Sequence, residues 1–297
     1  MLNKIIVSFV KLLPESIVYI FAKKYIAGPN LTDAVSVTKK LNSMGIAVTI
    51  DVLGEAIRNK EEAVYEKNEC LRVLEIIKQE KLNANLSVKP TSLGLSIDKE
   101  FFLTQMKELL NKAKQYNNFI RMDMEDSRYT TLTIEAFKKL QTEFNNVGIV
   151  LQAYLKRTSD DVDELNKTKS NYRLCKGIYV EPEEIAYKEK QKIRQNYLML
   201  LEKMLKNKSY VAVATHDDYL ITNAYKLIEK MNIKKDLYEF QMLYGVKEKL
   251  RDKINKDGHK IRIYVPYGQH WHAYSIRRMQ ENPQIAMHIT KSIFKFS

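Results

Sequence analysis

At 297 residues, with 45% hydrophobic and 29% charged residues, 9 glycines and 6 prolines, the chain has the material for a large core. No low-complexity run or Gly/Ser-rich linker divides it, which excludes a disordered or loosely tethered protein and favours one continuous domain. Its net charge of +13 comes from Lys and Arg spread along the whole chain, so solvated surface lysine is expected rather than the clustered stripe of a nucleic-acid binder.

In the first 25 residues, Ile5, Ile6, Phe9, Val10, Leu12 and Leu13 form an apolar stripe beside Lys4 and Lys11. Pro14 and Glu15 interrupt it before Ile17–Ala22, so neither piece approaches the roughly 20 apolar residues of a spanning helix. No small-residue cleavage site follows, and a signal peptide is not expected. The stripe reads as an amphipathic helix packed on the domain, with a position on a membrane surface as the alternative. Residues 1–45 are taken as an N-terminal helical segment that precedes or plugs the main domain, 46–297.

From Ala47 onward, eight short runs rich in β-branched and aromatic residues read as buried strands. They begin near Ala47, Leu86, Ile120, Gly148, Tyr172, Tyr210, Tyr238 and Lys260. Helical stripes lie between them, among them Phe102, Met106, Leu109, Leu110 and Ala113, then Leu220, Ile221, Ala224, Leu227, Ile228 and Met231. Strand and helix alternating in this way predict parallel strands with helical crossovers, and eight units in about 250 residues have the size of a (β/α)8 TIM-like barrel. An open doubly wound sheet would also absorb the pattern. The strand ends favour the barrel: Asp51, Lys89, Asp123, Gln152, Arg173 or Lys176, Thr215–His216, Gln241 and Tyr264 are polar, and a barrel gathers such ends at one mouth.

The chemistry-bearing residues follow the same ends. Lys89 either snorkels to solvent or meets an anion in the mouth, with Asp123 as its counter-charge. Arg173, Lys176 and Gly177 place two cations and a conformationally free residue at one strand end, suited to a bulky phosphate-bearing ligand. No G-x-G-x-x-G follows the first strand, so a Rossmann dinucleotide site is not signalled. His216 is a ligand contact or a hydrogen-bonded strand-end histidine. In the last helix Tyr274, Arg277, Arg278 and Glu281 share one face, either as a carboxylate clamp or as a solvated ion-pair face. His270 and His272 lack a third ligand, and Cys70 and Cys175 form no C-x-x-C pair. Neither metal nor disulfide is expected, in keeping with a reducing, cytoplasmic setting.

The C-terminal run YVPYGQHWHAYSIRRMQEN resembles the proline dehydrogenase signature, in which a Tyr-x-x-Arg-Arg-x-x-Glu helix grips the substrate carboxylate. IDVLGEA, SVKPTSLG, IRMDMED, QAYLKR, RLCKGIYVEP, ATHD and YEFQMLYG extend the resemblance in collinear order over roughly residues 46–283. It implies a (β/α)8 barrel with noncovalent FAD that oxidises L-proline to Δ1-pyrroline-5-carboxylate, the first step of proline catabolism. By the same resemblance, Lys89, Arg277 and Arg278 hold the proline carboxylate, while Tyr264, Tyr274 and Leu243 wall the ring. Asp123 links the cations to the tyrosine, and Arg173 tunes the flavin. Met124, Gln152, Lys176, Gly177, Ile178, Thr215, His216 and Glu281 match FAD-contacting positions.

Cys175, Ile178 and Asp217 depart from the usual pattern. The fused aldehyde dehydrogenase domain of bifunctional relatives is absent, which implies the monofunctional form. A membrane quinone is the implied electron acceptor, and the positive charge then suggests peripheral binding at the inner face of the cell membrane. A hydroxyproline dehydrogenase on the same barrel, a flavin-free barrel enzyme for an anionic metabolite and a non-enzymatic basic module are the alternatives. The bulk of Tyr264 argues for proline over its hydroxylated analogue.

Overall fold

The computed structural model describes residues 15–54, 57–272 and 274–276. Eight parallel strands close on themselves in sequence order. They are β1 (Ala47–Val52), β2 (Ala84–Val88), β3 (Ile120–Met122), β4 (Val147–Gln152), β5 (Asn171–Cys175), β6 (Tyr210–Ala214), β7 (Tyr238–Leu243) and β8 (Ile261–Tyr267). β1 closes the barrel on β8 with Val48 opposite Ile263 and Asp51 opposite Pro266. The expected (β/α)8 barrel is therefore borne out, and the open sheet is not.

The helices are α1 (Glu15–Ala22), α2 (Leu31–Ser43), α3 (Lys60–Gln79), α4 (Lys99–Gln115), α5 (Ser127–Gln141), α6 (Thr158–Leu165), α7 (Lys190–Lys206), α8 (Asp218–Lys230) and α9 (Glu248–Lys256). Several start at a side-chain cap that satisfies otherwise unpaired backbone N–H groups: Asn59 for α3, Asp98 for α4, Asp126 for α5 and Asp217 for α8. At the other end, Lys81, Asn117, Lys208 and Asn232 turn the chain with positive φ just past α3, α4, α7 and α8. These left-handed residues keep the helix-to-strand connections short.

The outer strand faces pack on the helices, and the predicted stripe of Phe102, Met106, Leu109, Leu110 and Ala113 is fully buried there. On α8, Leu220, Ile221, Ala224 and Ile228 are buried, while Leu227 and Met231 are only partly covered. Neighbouring helices are also laced by ion pairs such as Lys99–Glu135, Lys138–Glu164 and Lys203–Asp163. The surface lysines thus bridge neighbours more than the sequence suggested, at a typical 0.2–1 kcal/mol per exposed pair.

The N-terminal stripe over residues 4–13 lies outside the described residues. α2 lies across the outer faces of β8 and β1, with Ala34 and Leu41 in the main core. Ala22 and Ile26 pack with Leu53, and Tyr19 meets the Trp271 ring edge-on at 4.9 Å. Ala27 donates to the Pro266 carbonyl at 2.9 Å, tying the segment after α1 to the end of β8.

The inner face is unusually polar. Side chains at every second strand position point inward, and many are polar or charged: Arg121 and Asp123, Glu239 and Gln241, Arg262 and Tyr264. Burial alone would raise the Glu239 carboxyl. Arg262 at 2.8 Å, Lys260 at 3.3 Å and Gln241 at 2.7 Å instead hold it at about 2, against an ordinary 4.5. A carboxylate depressed on folding stabilises the fold above its unfolded value, and that stability drains as pH falls from about 4.5 toward about 2. We expect Glu239→Gln to flatten the acid limb of unfolding free energy between those pH values, measured by denaturant titration. A limb as steep as in the parent would rule out Glu239 as its source.

Candidate active site

At the C-terminal mouth the strands enclose a cavity of about 290 Å³. Asp51 from β1, Ser87 and Lys89 from the end of β2, Asp123 past β3, Arg173 from β5 and Tyr264 from β8 meet there. Lys89 Nζ donates to Asp51 Oδ1 at 2.5 Å. Asp123 Oδ1 accepts from Ser87 Oγ at 2.8 Å and Arg173 Nη1 at 3.2 Å, and its Oδ2 accepts from the Tyr264 hydroxyl at 2.7 Å. The Arg173 guanidinium lies 4.8 Å from the Tyr264 ring centre, a cation–π contact that fixes both groups.

This cluster is largely buried, and its charges shape one another. Burial works against the Lys89 ammonium, but Asp51 and Asp123 overcome it and raise its pKa, so Lys89 stays cationic. Burial raises Asp51, with Lys89 opposing. Burial likewise works against the Arg173 charge until Asp123 reverses the effect. Burial and then Asp123 push the Tyr264 phenol far up, so it remains a donor. Within this cluster two buried atoms, Asp51 Oδ2 and Arg173 Nε, have no hydrogen-bond partner among the described residues. A polar atom left unmatched in a core is costly, and at a cavity wall it marks a place where a ligand can complete the pairing.

The rest of the wall comes from β4 to β7. Gln152 donates to the Glu125 carbonyl at 2.9 Å, and the Glu125 carboxylate accepts from Thr91 N at 2.8 Å and Thr91 Oγ1 at 2.5 Å. Burial raises Glu125, against the pull of those bonds. His216 Nε2 accepts the Leu243 backbone N–H at 2.8 Å, so a neutral ring carries its proton on Nδ1. Asp217, one of the unusual positions, caps α8 and takes Arg194 at 2.7 Å, with Lys176 at 3.6 Å.

Gly177 has φ +106, and a Cβ there would lie 2.1 Å from the Tyr154 ring. Gly177→Ala should destabilise the protein by about 1–3 kcal/mol through backbone strain and displacement of Tyr154. A thermal or denaturant unfolding midpoint unchanged from the parent would contradict this.

Every sequence-predicted site residue among the described ones faces this cavity: Lys89, Asp123, Met124, Gln152, Arg173, Lys176, Gly177, Ile178, Thr215, His216, Leu243, Tyr264 and Tyr274. Of the two β5 alternatives, Arg173 is the inward strand residue, with its side chain 15% exposed, and Lys176 is the outer one at 40%. Ile178 is half exposed at the rim. Arg277, Arg278 and Glu281 lie outside the described residues. Sequence reasoning treated Asp51 only as a strand end and passed over Ser87 and Glu125. The missed signal is the two-residue recurrence of polar side chains, as in Thr49-x-Asp51 and Asn85-x-Ser87-x-Lys89.

The proline dehydrogenase family model matches residues 34–291. The chain belongs to the proline dehydrogenase family. It is 36% identical over 274 residues to proline dehydrogenase 1 of Bacillus subtilis (strain 168), spanning 92% of this chain and 91% of that one. It is 34% identical over 279 residues to the proline dehydrogenase of Deinococcus radiodurans, spanning 92% and 90%. Among solved structures it resembles proline utilization A (PutA) from Bdellovibrio bacteriovorus inactivated by N-propargylglycine, with TM-score 0.83 and 28% identity. That match covers 88% of this chain and 32% of the PutA chain, so this chain spans about a third of the larger protein. The chain is thus an oxidoreductase of proline catabolism that acts on a CH–NH donor. Among the described residues no helix is long and apolar enough to cross a membrane.

Proposed function

We propose that the chain oxidises L-proline to Δ1-pyrroline-5-carboxylate with FAD, as a (β/α)8 flavin-binding barrel over residues 46–297 preceded by a helical segment over 1–45. The observation that carries this reading is Lys89, kept cationic at the mouth beside the Asp123–Arg173–Tyr264 network. Lys89, Arg277 and Arg278 pair with the substrate carboxylate, and Tyr264, Tyr274 and Leu243 wall its ring.

The donor set suits FAD. Arg173 brings a buried Nε–H without an acceptor, Lys176 a basic head for phosphate, and Gly177 a stretch without a side chain. Met124, Gln152, Ile178, Thr215, His216 and Glu281 complete the set. FAD, when bound, supplies the hydride acceptor. The protein fixes the carboxylate so that the ring carbon next to nitrogen faces one way, and a neutral amine gives up its remaining proton as the C=N bond forms. Cations on the carboxylate side disfavour the ammonium and so favour that neutral form.

The test is the visible spectrum of the purified protein together with dye-linked oxidation of L-proline by the parent and by Arg277→Met. A flavin spectrum with turnover that falls in the variant is expected. A colourless protein that FAD does not activate, or an unaffected variant, would remove this reading. Electrons then pass to a membrane quinone, and the +13 charge suits peripheral contact with anionic lipid. Flotation with anionic vesicles at low salt, reversed by high salt, is the expected behaviour.

A further inference from the structure

At the opposite end of the barrel the N-terminal ends of the strands open on a second cavity, of about 720 Å³. Five cations line it, Lys78, Lys81, Arg121, Lys260 and Arg262, against one carboxylate, Glu239. That carboxylate is already engaged by Arg262 at 2.8 Å and Lys260 at 3.3 Å. Arg121 is different. It is 3% exposed, and no described carboxylate pairs with it. Its Nη1 and Nη2 donate to the Asn171 carbonyl at 2.7 Å and to Asn171 Oδ1 at 2.5 Å, and its Nε has no partner. The Phe119 ring lies 4.9 Å from its guanidinium.

Tying β3 to β5 through Asn171 needs only neutral donors, so the charge is surplus to that task. A buried guanidinium with no carboxylate in hydrogen-bond contact is costly, and burial, against the pull of Glu239, draws Arg121 down to about 9, still charged at neutral pH. The barrel makes room for it nonetheless. A Cβ at Gly148 would stand 2.3 Å from Arg121 Nη1, so only glycine at that position leaves the guanidinium its place.

We propose that this cavity binds a small anion bearing a phosphate group, at a site separate from the candidate active site. Four cations in excess of carboxylate call for more than one negative charge, and a phosphate supplies close to two, with several acceptor oxygens for forked and point-charge donors. The exposed Asn83 lines the same space and adds a neutral amide. The inference does not depend on the flavin reading.

The test is calorimetric titration of the full-length protein with inorganic pyrophosphate at low ionic strength. One site per chain is expected, weakened about tenfold or more in Lys78→Gln/Lys260→Gln, both exposed positions, and lost in Arg121→Met. Arg277→Met, which removes a cation assigned to the active site, should leave this binding unchanged. No binding at millimolar pyrophosphate, equal binding by the lysine double variant, loss in Arg277→Met, or succinate bound as tightly as pyrophosphate would each overturn the proposal. Proline oxidation by Lys78→Gln/Lys260→Gln should match the parent, which separates the site from catalysis.

Discussion

Lys89→Met should lower kcat/KM for proline about a hundredfold or more, because truncating one member of a buried charge pair costs about 2–5 kcal/mol. The variant loses a cation assigned to the substrate carboxylate and strands Asp51, which is 1% exposed and otherwise has Oδ2 unpaired. Burial already raises the Asp51 carboxyl, and without the ammonium nothing comparable opposes it. A carboxyl raised on folding binds a proton in the native state. Its stability contribution is complete below the unfolded value of 3.8 and is lost as pH rises through the folded one. Lys89→Met should therefore lose stability from about pH 4 toward neutrality more steeply than the parent, in which the ammonium opposes the rise.

Adding Asp51→Asn to Lys89→Met removes the stranded charge. The double variant should regain most of the stability at neutral pH and none of the turnover, as read by denaturant midpoints and steady-state kinetics on the same preparations. If turnover returned with stability, Lys89 would be a structural ion-pair partner and nothing more.

Why the barrel was legible and the ion network less so follows from what each depends on. Strand positions were carried by short-range composition: Ala47, Ile120, Tyr210 and Tyr238 open both the predicted and observed strands. β2 begins at Ala84 rather than Leu86, because Val48 pairs with Ala84 and Thr49 with Asn85. Asn85 looks like a turn residue, yet inside the barrel its Oδ1 accepts from Thr49 Oγ1 at 2.6 Å, and that pairing appears only when β1 and β2 lie side by side.

Asp51 and Lys89 are 38 residues apart, and Asp123 and Tyr264 are 141 apart. No local pattern joins such partners. The family motifs supplied Lys89, Asp123, Arg173 and Tyr264 because each sits in a recognisable block. Asp51 sits in such a block too, but its role depends on Lys89, and only barrel closure sets that distance. Arg121 and Glu239 were hidden for the same reason, within strands that read simply as buried.

Asp123→Asn should cost kcat/KM about a hundredfold, comparable with Lys89→Met, since one carboxylate here serves three donors. Asparagine keeps one acceptor oxygen and introduces an NH2 that must face a donor, so Ser87, Arg173 and Tyr264 cannot all stay satisfied. Tyr264→Phe deletes a single hydroxyl and leaves its ring under the Arg173 guanidinium, so a loss nearer tenfold is expected, within the 1–3 kcal/mol of one buried hydrogen bond. The decisive measurement is the combination. If Asp123 acts by holding Tyr264 and Arg173 in place, adding Tyr264→Phe to Asp123→Asn should cost little more than Asp123→Asn alone. If the two losses multiply, tyrosine and aspartate act on the substrate independently, and the hydrogen bond of 2.7 Å between them is incidental to turnover.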